Sequence, residues 1–150
     1  MNNEKNWTTT RGISPVVDPI QRVEGPLQGT SPWHNARRLP SLLLSAARVV
    51  FDSHRDSTPT EQHRALRHLL YDHASAHGYS EAMLDAALLM AQARAAAIRH
   101  GEWTRAAHRP SEHRDTFLEL ASECRKRVAS CIARANTLLA SDPCTMGVRP

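Results

Sequence analysis

The chain has few aromatic residues, few glycines and no long apolar run. Aromatic residues make up 5% of it, and it contains 6 glycines. Because no stretch approaches about 18 uninterrupted apolar residues, the sequence predicts no membrane-spanning helix. The N-terminal residues MNNEKNWTTTRG lack the apolar segment that a Sec signal peptide needs. We therefore expect a cytoplasmic protein, with export by a route that reads no Sec signal as the alternative.

Recognisable catalytic motifs are also lacking. The sequence has no nucleophile elbow, no phosphate-binding loop and no dinucleotide fingerprint, so we expect neither an enzyme nor a bound cofactor. It has 3 cysteines and no CxxC pair. Cys124 and Cys131 are two helical turns apart, roughly 10 Å, which is too far for a disulfide. We expect both to be small buried side chains and Cys144 to be an exposed thiol.

Large apolar side chains are scarce for a chain of 150 residues. Leu, Ile, Val and Phe together supply 28 residues, and alanine alone supplies 21. This length fits one domain with an appended segment. The composition predicts a thin core of closely packed small residues. Because such a core leaves little stability in reserve, it favours docking on a partner or self-association.

The spacing of apolar residues predicts an all-α four-helix bundle over 41–141, followed by a tail over 142–150. The expected helices cover about 41–55, 59–77, 81–100 and 112–140, with the third ending at Gly101 before a loop over 101–110. The second helix has the clearest start, because Thr58, Pro59 and Glu61 form a capping box. The last helix carries a heptad seam that should pair with the third helix, and this seam consists of Phe117, Ala121, Cys124, Val128, Cys131, Ala135 and Leu138.

Residues 1–40 are predicted to form an extended N-terminal arm. Four prolines, among them Pro19, interrupt it and bias the chain against helices. Ser31 and Pro32 favour one helical turn through Arg38. The arm nevertheless carries apolar side chains that a linker does not need, and these either pack back on the bundle or dock on another chain. We interpret them as partner-binding residues: Trp7, Ile13, Val16, Val17, Ile20, Val23 and Trp33.

Histidine is abundant, with 9 residues. On the second predicted helix, His63, His73 and His77 share one face with the apolar residues. His73 and His77 form an H-x3-H pair, which can place two imidazoles on one metal ion. Neighbouring carboxylates belong to no Glu-x-x-His pair of the kind that di-metal bundles use. We therefore favour partly buried, hydrogen-bonded histidines and keep a His-based metal site as the alternative.

Basic residues concentrate at the turn between the last two predicted helices and along the last helix. The net charge is only +4, so bulk charge does not indicate nucleic-acid binding. An Arg-rich turn with a tryptophan can nevertheless hold a phosphate backbone or stack a base. The candidate phosphate-binding or nucleic-acid-binding residues are Arg99, Trp103, Arg105, Arg109, Arg114, Arg125, Lys126, Arg127 and Arg134.

Together these patterns favour a non-catalytic helical interaction protein. Such a protein would be an adaptor, chaperone, inhibitor or accessory subunit of a larger bacterial or phage assembly. It would bind a protein partner, or a second copy, through the arm and the long C-terminal helix. The first alternative is a nucleic-acid-contacting accessory subunit of a nucleoprotein complex, which would use the basic turn and the last helix. The second alternative is a metal-binding bundle.

Overall fold

The computed structural model describes residues 18–24, 36–71 and 78–142, and this part of the chain is all-α. Of the described residues, 82% are helical and none lies in a strand, which confirms the predicted fold class. The helices are α1 (Pro19–Glu24), α2 (Ser41–Ser53), α3 (Pro59–Leu70), α4 (Glu81–Ala107) and α5 (Arg114–Ala140), with a 3-10 helix at Ala36–Arg38. The four longer helices correspond to the four predicted ones.

Two predicted helix starts are confirmed in atomic detail. The backbone N–H of Glu61 donates to Oγ1 of Thr58 at 3.1 Å, and the N–H of Thr58 donates to Oε1 of Glu61 at 2.8 Å. These reciprocal bonds are the capping box of α3. At α4, the N–H of Met83 donates to Oγ of Ser80 at 3.2 Å. Each cap satisfies backbone donors that the first helical turn leaves unpaired.

The predicted end of the third helix is wrong. α4 continues through Gly101 to Ala107, so most of the expected loop over 101–110 is helical. Glycine inside a helix costs about 1 kcal/mol relative to alanine. Packing beyond it offsets this cost, because Trp103 stacks on Phe117 of α5 and Ala107 is buried. Gly101 therefore lies within the helix rather than at its end.

The described part of the arm is helical rather than extended, which corrects the prediction there. Asp18 accepts a hydrogen bond from the N–H of Ile20 at 2.8 Å, and Pro19 is the first residue of α1. A proline at this position suits a helix, because its fixed φ is helical and the first turn needs no N–H from it. Ile20 and Val23 are buried in the core. The 3-10 helix lies within the helical turn that was predicted to end at Arg38.

α4 is the helix around which the others pack. α5 runs antiparallel to it, since Ser80 bonds to Asp142 at one end of the pair and Trp103 contacts Phe117 at the other. α1, α2 and α3 also pack on α4. Its burial is therefore greatest between positions 84 and 97, although the side chain of Asp85 is 48% exposed. The buried residues there are Leu84, Ala86, Ala87, Leu88, Met90, Ala91, Ala93, Ala96 and Ala97. This helix contains 10 of the 21 alanines of the sequence.

The C-terminal end of α4 and the N-terminal end of α5 extend past the main core. Ala107 and Ala121 are buried but do not belong to the main apolar cluster, which on α5 begins at Val128. We call residues 98–121 the hairpin end. The exposed side chains of Ile98, Leu118 and Leu120 lie on it. This end is held together chiefly by contacts between two helices, so much of its surface remains uncovered.

Candidate functional site

A groove of about 500 Å³ lies between α2 and α5, with α4 as its floor. Ala95 and Ala96 give the floor short side chains, and four longer side chains of the same helix flank them: Gln92, Arg99, Glu102 and Trp103. The walls come from the other two helices. They are formed by Phe51 and Arg55 at the end of α2 and by Leu120, Cys124 and Arg127 on α5.

The groove continues the side of α4 on which α3 packs. His63 of α3 contacts Asp85, and Gln92 and Arg99 follow Asp85 at intervals of seven residues. Residues at this spacing lie on the same face of a helix. Gln92 and Arg99 line the groove. α3 therefore covers this face near its N-terminal end, while the next turns of the same face remain open.

Cys124 lines this groove and is half-buried, whereas Cys131 is 2% exposed. The prediction of a buried side chain is therefore confirmed for Cys131 and only partly met at Cys124. Burial raises the pKa of the Cys124 thiol, and the positive charges of Arg99 and Arg127 oppose that rise. Burial also raises the pKa of Cys131. Both thiols are therefore protonated near neutral pH, which does not suit a nucleophile.

A second cleft, of about 290 Å³, lies beside the groove where α2 crosses α4. It shares Phe51, Arg55, Ala95, Arg99 and Glu102 with the groove, so the two form one continuous surface around the end of α2. The second cleft adds two arginines, one from each helix, and the half-exposed Ile98. The residues that only it contains are Arg48, Asp52, Ala91, Arg94 and Ile98.

The predicted nucleic-acid residues do not form one stripe. Trp103 stacks on Phe117 with ring centroids 5.6 Å apart and an angle of 18° between the planes, so one face of its ring is already covered. Three consecutive residues on α5 point about 100° apart, so Arg125, Lys126 and Arg127 face different directions. Trp103, Arg99 and Arg127 line the groove, and Lys126 lies 3.7 Å from Glu123. The other predicted cations are exposed: Arg105, Arg109, Arg114, Arg125 and Arg134.

Two of the predicted partner-binding residues are buried within their own chain. Ile20 and Val23 belong to the main core, and their helix α1 packs on α4 and α5. Of the two alternatives for the apolar residues of the arm, these two residues pack back on the bundle rather than dock on another chain. The others, Trp7, Ile13, Val16, Val17 and Trp33, lie outside the described residues. The surface available for a partner in the described part of the chain is therefore on the bundle rather than on the arm.

His63 joins α3 to α4. Its Nε2 lies 2.6 Å from Oε1 of Glu81, and its Nδ1 lies 2.6 Å from Oδ1 of Asp85. Nε2 also lies 3.2 Å from Nη2 of Arg67, so both ring nitrogens have polar partners. Arg67 also donates to Glu81. This histidine thus has a structural role, as the hydrogen-bonded interpretation predicted.

The proposed metal ligands His73 and His77 lie outside the described residues. Among the residues that are described, no three His, Cys, Asp or Glu side chains are placed to hold a metal ion. Elsewhere, burial lowers the pKa of His100, and the charge of Arg125 lowers it further. Both effects favour the neutral form of His100.

Sequence reasoning identified some residues of the groove but not the groove itself. It named Arg99, Trp103 and Arg127 as candidate nucleic-acid-binding residues and placed Cys124 in the helical seam, but it predicted no site that joins them to Phe51, Ala95 and Leu120. Apolar periodicity was the available signal, but it shows only that a residue faces another helix and not whether a gap separates them.

None of the described helices has both the length and the apolar character needed to cross a membrane. No protein-family model matches the chain, and neither a curated protein nor a solved structure is significantly similar to it.

Proposed function

We propose that this chain is a non-catalytic, cytoplasmic interaction protein that binds a segment of a protein partner in the groove between α2 and α5. The observation that carries the proposal is the open face of α4, where alanines form the floor and Phe51 and Leu120 stand in the walls. The described part of the chain leaves this face uncovered, although α3 packs on the preceding turns of the same face. A partner segment would complete the bundle at that position.

An amphipathic helix is the segment that best fits this groove. Alanines on the floor let two helix axes approach to the short end of the usual 8–10 Å range. A helix seated there would place its apolar side chains against Phe51 and Leu120. Helix-in-groove binding of this kind relies on apolar anchors three and four residues apart. Burying apolar surface supplies about 25 cal/mol per Å², which is the main source of affinity at such sites.

Affinity capture from host cells tests the proposal, with the full chain as bait and nuclease treatment in a parallel sample. We expect a protein partner that persists after nuclease treatment. Ala95→Arg fills the floor of the groove and should abolish its capture, whereas Ala133→Arg, on the exposed side of α5, should leave it unchanged. Circular dichroism of both variants checks that helicity is retained. Equal capture by the two variants, or no captured protein, would contradict the proposal.

The identity of the captured partner then assigns the role within the adaptor, chaperone, inhibitor and accessory-subunit classes. A partner that belongs to a bacterial or phage assembly supports the accessory role. Self-association through the same groove would appear as a change in mass of the purified chain. Sedimentation measures the mass of the wild-type protein and of Ala95→Arg. A larger mass for the wild-type protein alone would show that a second copy, rather than a different protein, occupies the groove.

Nucleic-acid contact is the second candidate function, and one observation favours it. Arg105, Arg109 and Arg114 are all exposed around the turn of the hairpin end. Such a cluster predicts binding to DNA or RNA that weakens with added salt. A mobility shift at low salt, lost when these three arginines are replaced by glutamine, would support it. The absence of any shift at low salt would eliminate this function.

A further inference from the structure

The second cleft is rich in arginine. Arg48 reaches it from α2, Arg55 from the turn that follows α2, and Arg94 and Arg99 from α4. The acids in the same cleft are Asp52 and Glu102. The cleft therefore carries more positive than negative side chains, in a chain whose overall net charge is only +4.

These arginines are only partly compensated. Arg55 pairs with Asp52 at 3.3 Å, but Arg48, Arg94 and Arg99 make no ion pair with any described residue. Burial lowers the pKa of Arg48, the positive charge of Arg94 lowers it further, and Asp18 opposes the change. Like charges repel more strongly where water is partly excluded, so Arg48 and Arg94 disfavour each other, and Asp18 offsets this effect only in part. The field in this cleft thus favours a negatively charged ligand.

The other groups around the cleft indicate what kind of anion fits. Phe51 and the half-exposed Ile98 contribute apolar surface, while Asp52 and Glu102 contribute fixed negative charges. A nucleic-acid strand carries a phosphate on every nucleotide, so it would have to place some of these charges against the two acids. A peptide can space its acidic side chains and put apolar ones between them. The cleft is therefore suited to an acidic, apolar peptide.

We propose that Arg48 and Arg94 bind aspartate or glutamate side chains of the partner segment that occupies the adjoining groove. This inference rests on the proposed function, because the two clefts form one surface. Guanidinium groups pair with carboxylates through two parallel hydrogen bonds, which fixes orientation as well as charge. The apolar contacts then lie in the groove, and the acidic contacts lie at the α2–α4 crossing. This arrangement sets the direction and register of the bound segment.

Succinate, a small dicarboxylate, tests the cleft without knowledge of the partner. It is titrated into the full ¹⁵N-labelled chain while the side-chain Nε–H resonances of the arginines are recorded. We expect saturable shifts for Arg48 and Arg94 and none for the exposed Arg109. Arg94→Gln should abolish the shift of Arg48 as well. Equal shifts at Arg109, or no saturable shift at Arg48 and Arg94, would overturn the inference.

A second measurement separates this inference from the proposed function. Arg94→Gln should weaken capture of the partner about fivefold, the effect of losing one partly exposed ion pair. Arg64→Gln, at an exposed position on α3, is the matched control and should leave capture unchanged. If Ala95→Arg abolishes capture while Arg94→Gln does not affect it, the groove binds the partner, but Arg94 does not bind an acidic side chain of that partner. A 20-nucleotide single strand is also added to the captured complex. If it displaces the partner from the wild-type chain but not from Arg94→Gln, the ligand of the second cleft is nucleic acid and the inference fails.

Discussion

The backbone N–H of Ala36 donates a hydrogen bond to Oδ1 of Asn136, at 3.1 Å, across 100 residues of sequence. Ala36 is completely buried. This bond, together with Ile20 and Val23 in the core, attaches the described N-terminal segments to α4 and α5. Those segments cover one side of the helical pair and leave the groove side open.

The Ala36–Asn136 bond should contribute measurably to stability. Asn136→Ala leaves a buried N–H without its acceptor, which costs about 1–2 kcal/mol. Urea denaturation followed by circular dichroism measures the change. Thr137→Ala is the control, because the Thr137 hydroxyl only donates to the carbonyl oxygen of Ala133 in the same exposed turn. If the two variants lose equal stability, the bond does not anchor the N-terminal segment.

Two adjacent leucines on α2 should respond very differently to truncation. Leu43 is completely buried, whereas Leu42 is 37% exposed. Leu43→Ala should lower the free energy of unfolding by about 2–5 kcal/mol, because it creates a cavity in the core. Leu42→Ala should cost less than about 1 kcal/mol. Because the core is thin, the loss in Leu43→Ala is a large part of the total stability. Thermal denaturation should therefore give a clearly lower melting temperature for Leu43→Ala than for Leu42→Ala. Similar melting temperatures would contradict the orientation of α2.

The stacked Trp103 and Phe117 rings should be energetically coupled. A double-mutant cycle with Trp103→Leu and Phe117→Leu should give a coupling energy of about 1 kcal/mol. Hydrogen exchange in residues 98–121 should accelerate in both single variants, since these rings join the two helices of the hairpin end. Coupling near zero would mean that Trp103 is available for other contacts, including the base stacking that the sequence suggested.

The His63 contacts predict a second coupled pair. His63→Gln and Asp85→Asn should each lower stability, with a coupling of about 0.5–1 kcal/mol in a double-mutant cycle. The reason is that the side chain of His63 is only 16% exposed and lies between two carboxylates. His68→Gln, at an exposed position on the same helix, is the matched control and should have little effect. Additive losses would show that the imidazole does not join α3 to α4.

The sequence predicted those features that depend on local pattern. Thr58 and Glu61 cap α3 because the chemistry of a capping box lies within four residues. Gly101 was misinterpreted because a distant contact, Trp103 with Phe117, stabilises the helix beyond it. Pro19 was taken as an interruption, although its position just after Asp18 is typical of a helix start. Local rules thus failed where tertiary packing or the exact position within a turn decided the outcome.

The candidate site was much less predictable. The groove exists because α2 and α5 pack on different sides of α4 and α3 covers only part of the face between them. Apolar periodicity describes each helix separately and contains no information on these relative positions. The arginines of the second cleft come from two helices and are far apart in sequence. Single residues of the groove, such as Arg99 and Arg127, could be named beforehand from their charge, but not their common location.

Alkylation of Cys124 in the presence of the captured partner tests most directly whether the groove holds it. Cys144→Ser removes the thiol of the tail, and Cys131 is protected by burial, so a maleimide reports on Cys124. For the control, Cys124→Ala is combined with Ser122→Cys, an exposed position about 200° around α5. We expect saturating partner to slow alkylation of Cys124 at least about tenfold while the control thiol reacts as before. Unchanged alkylation of Cys124 in the complex would show that the partner binds elsewhere.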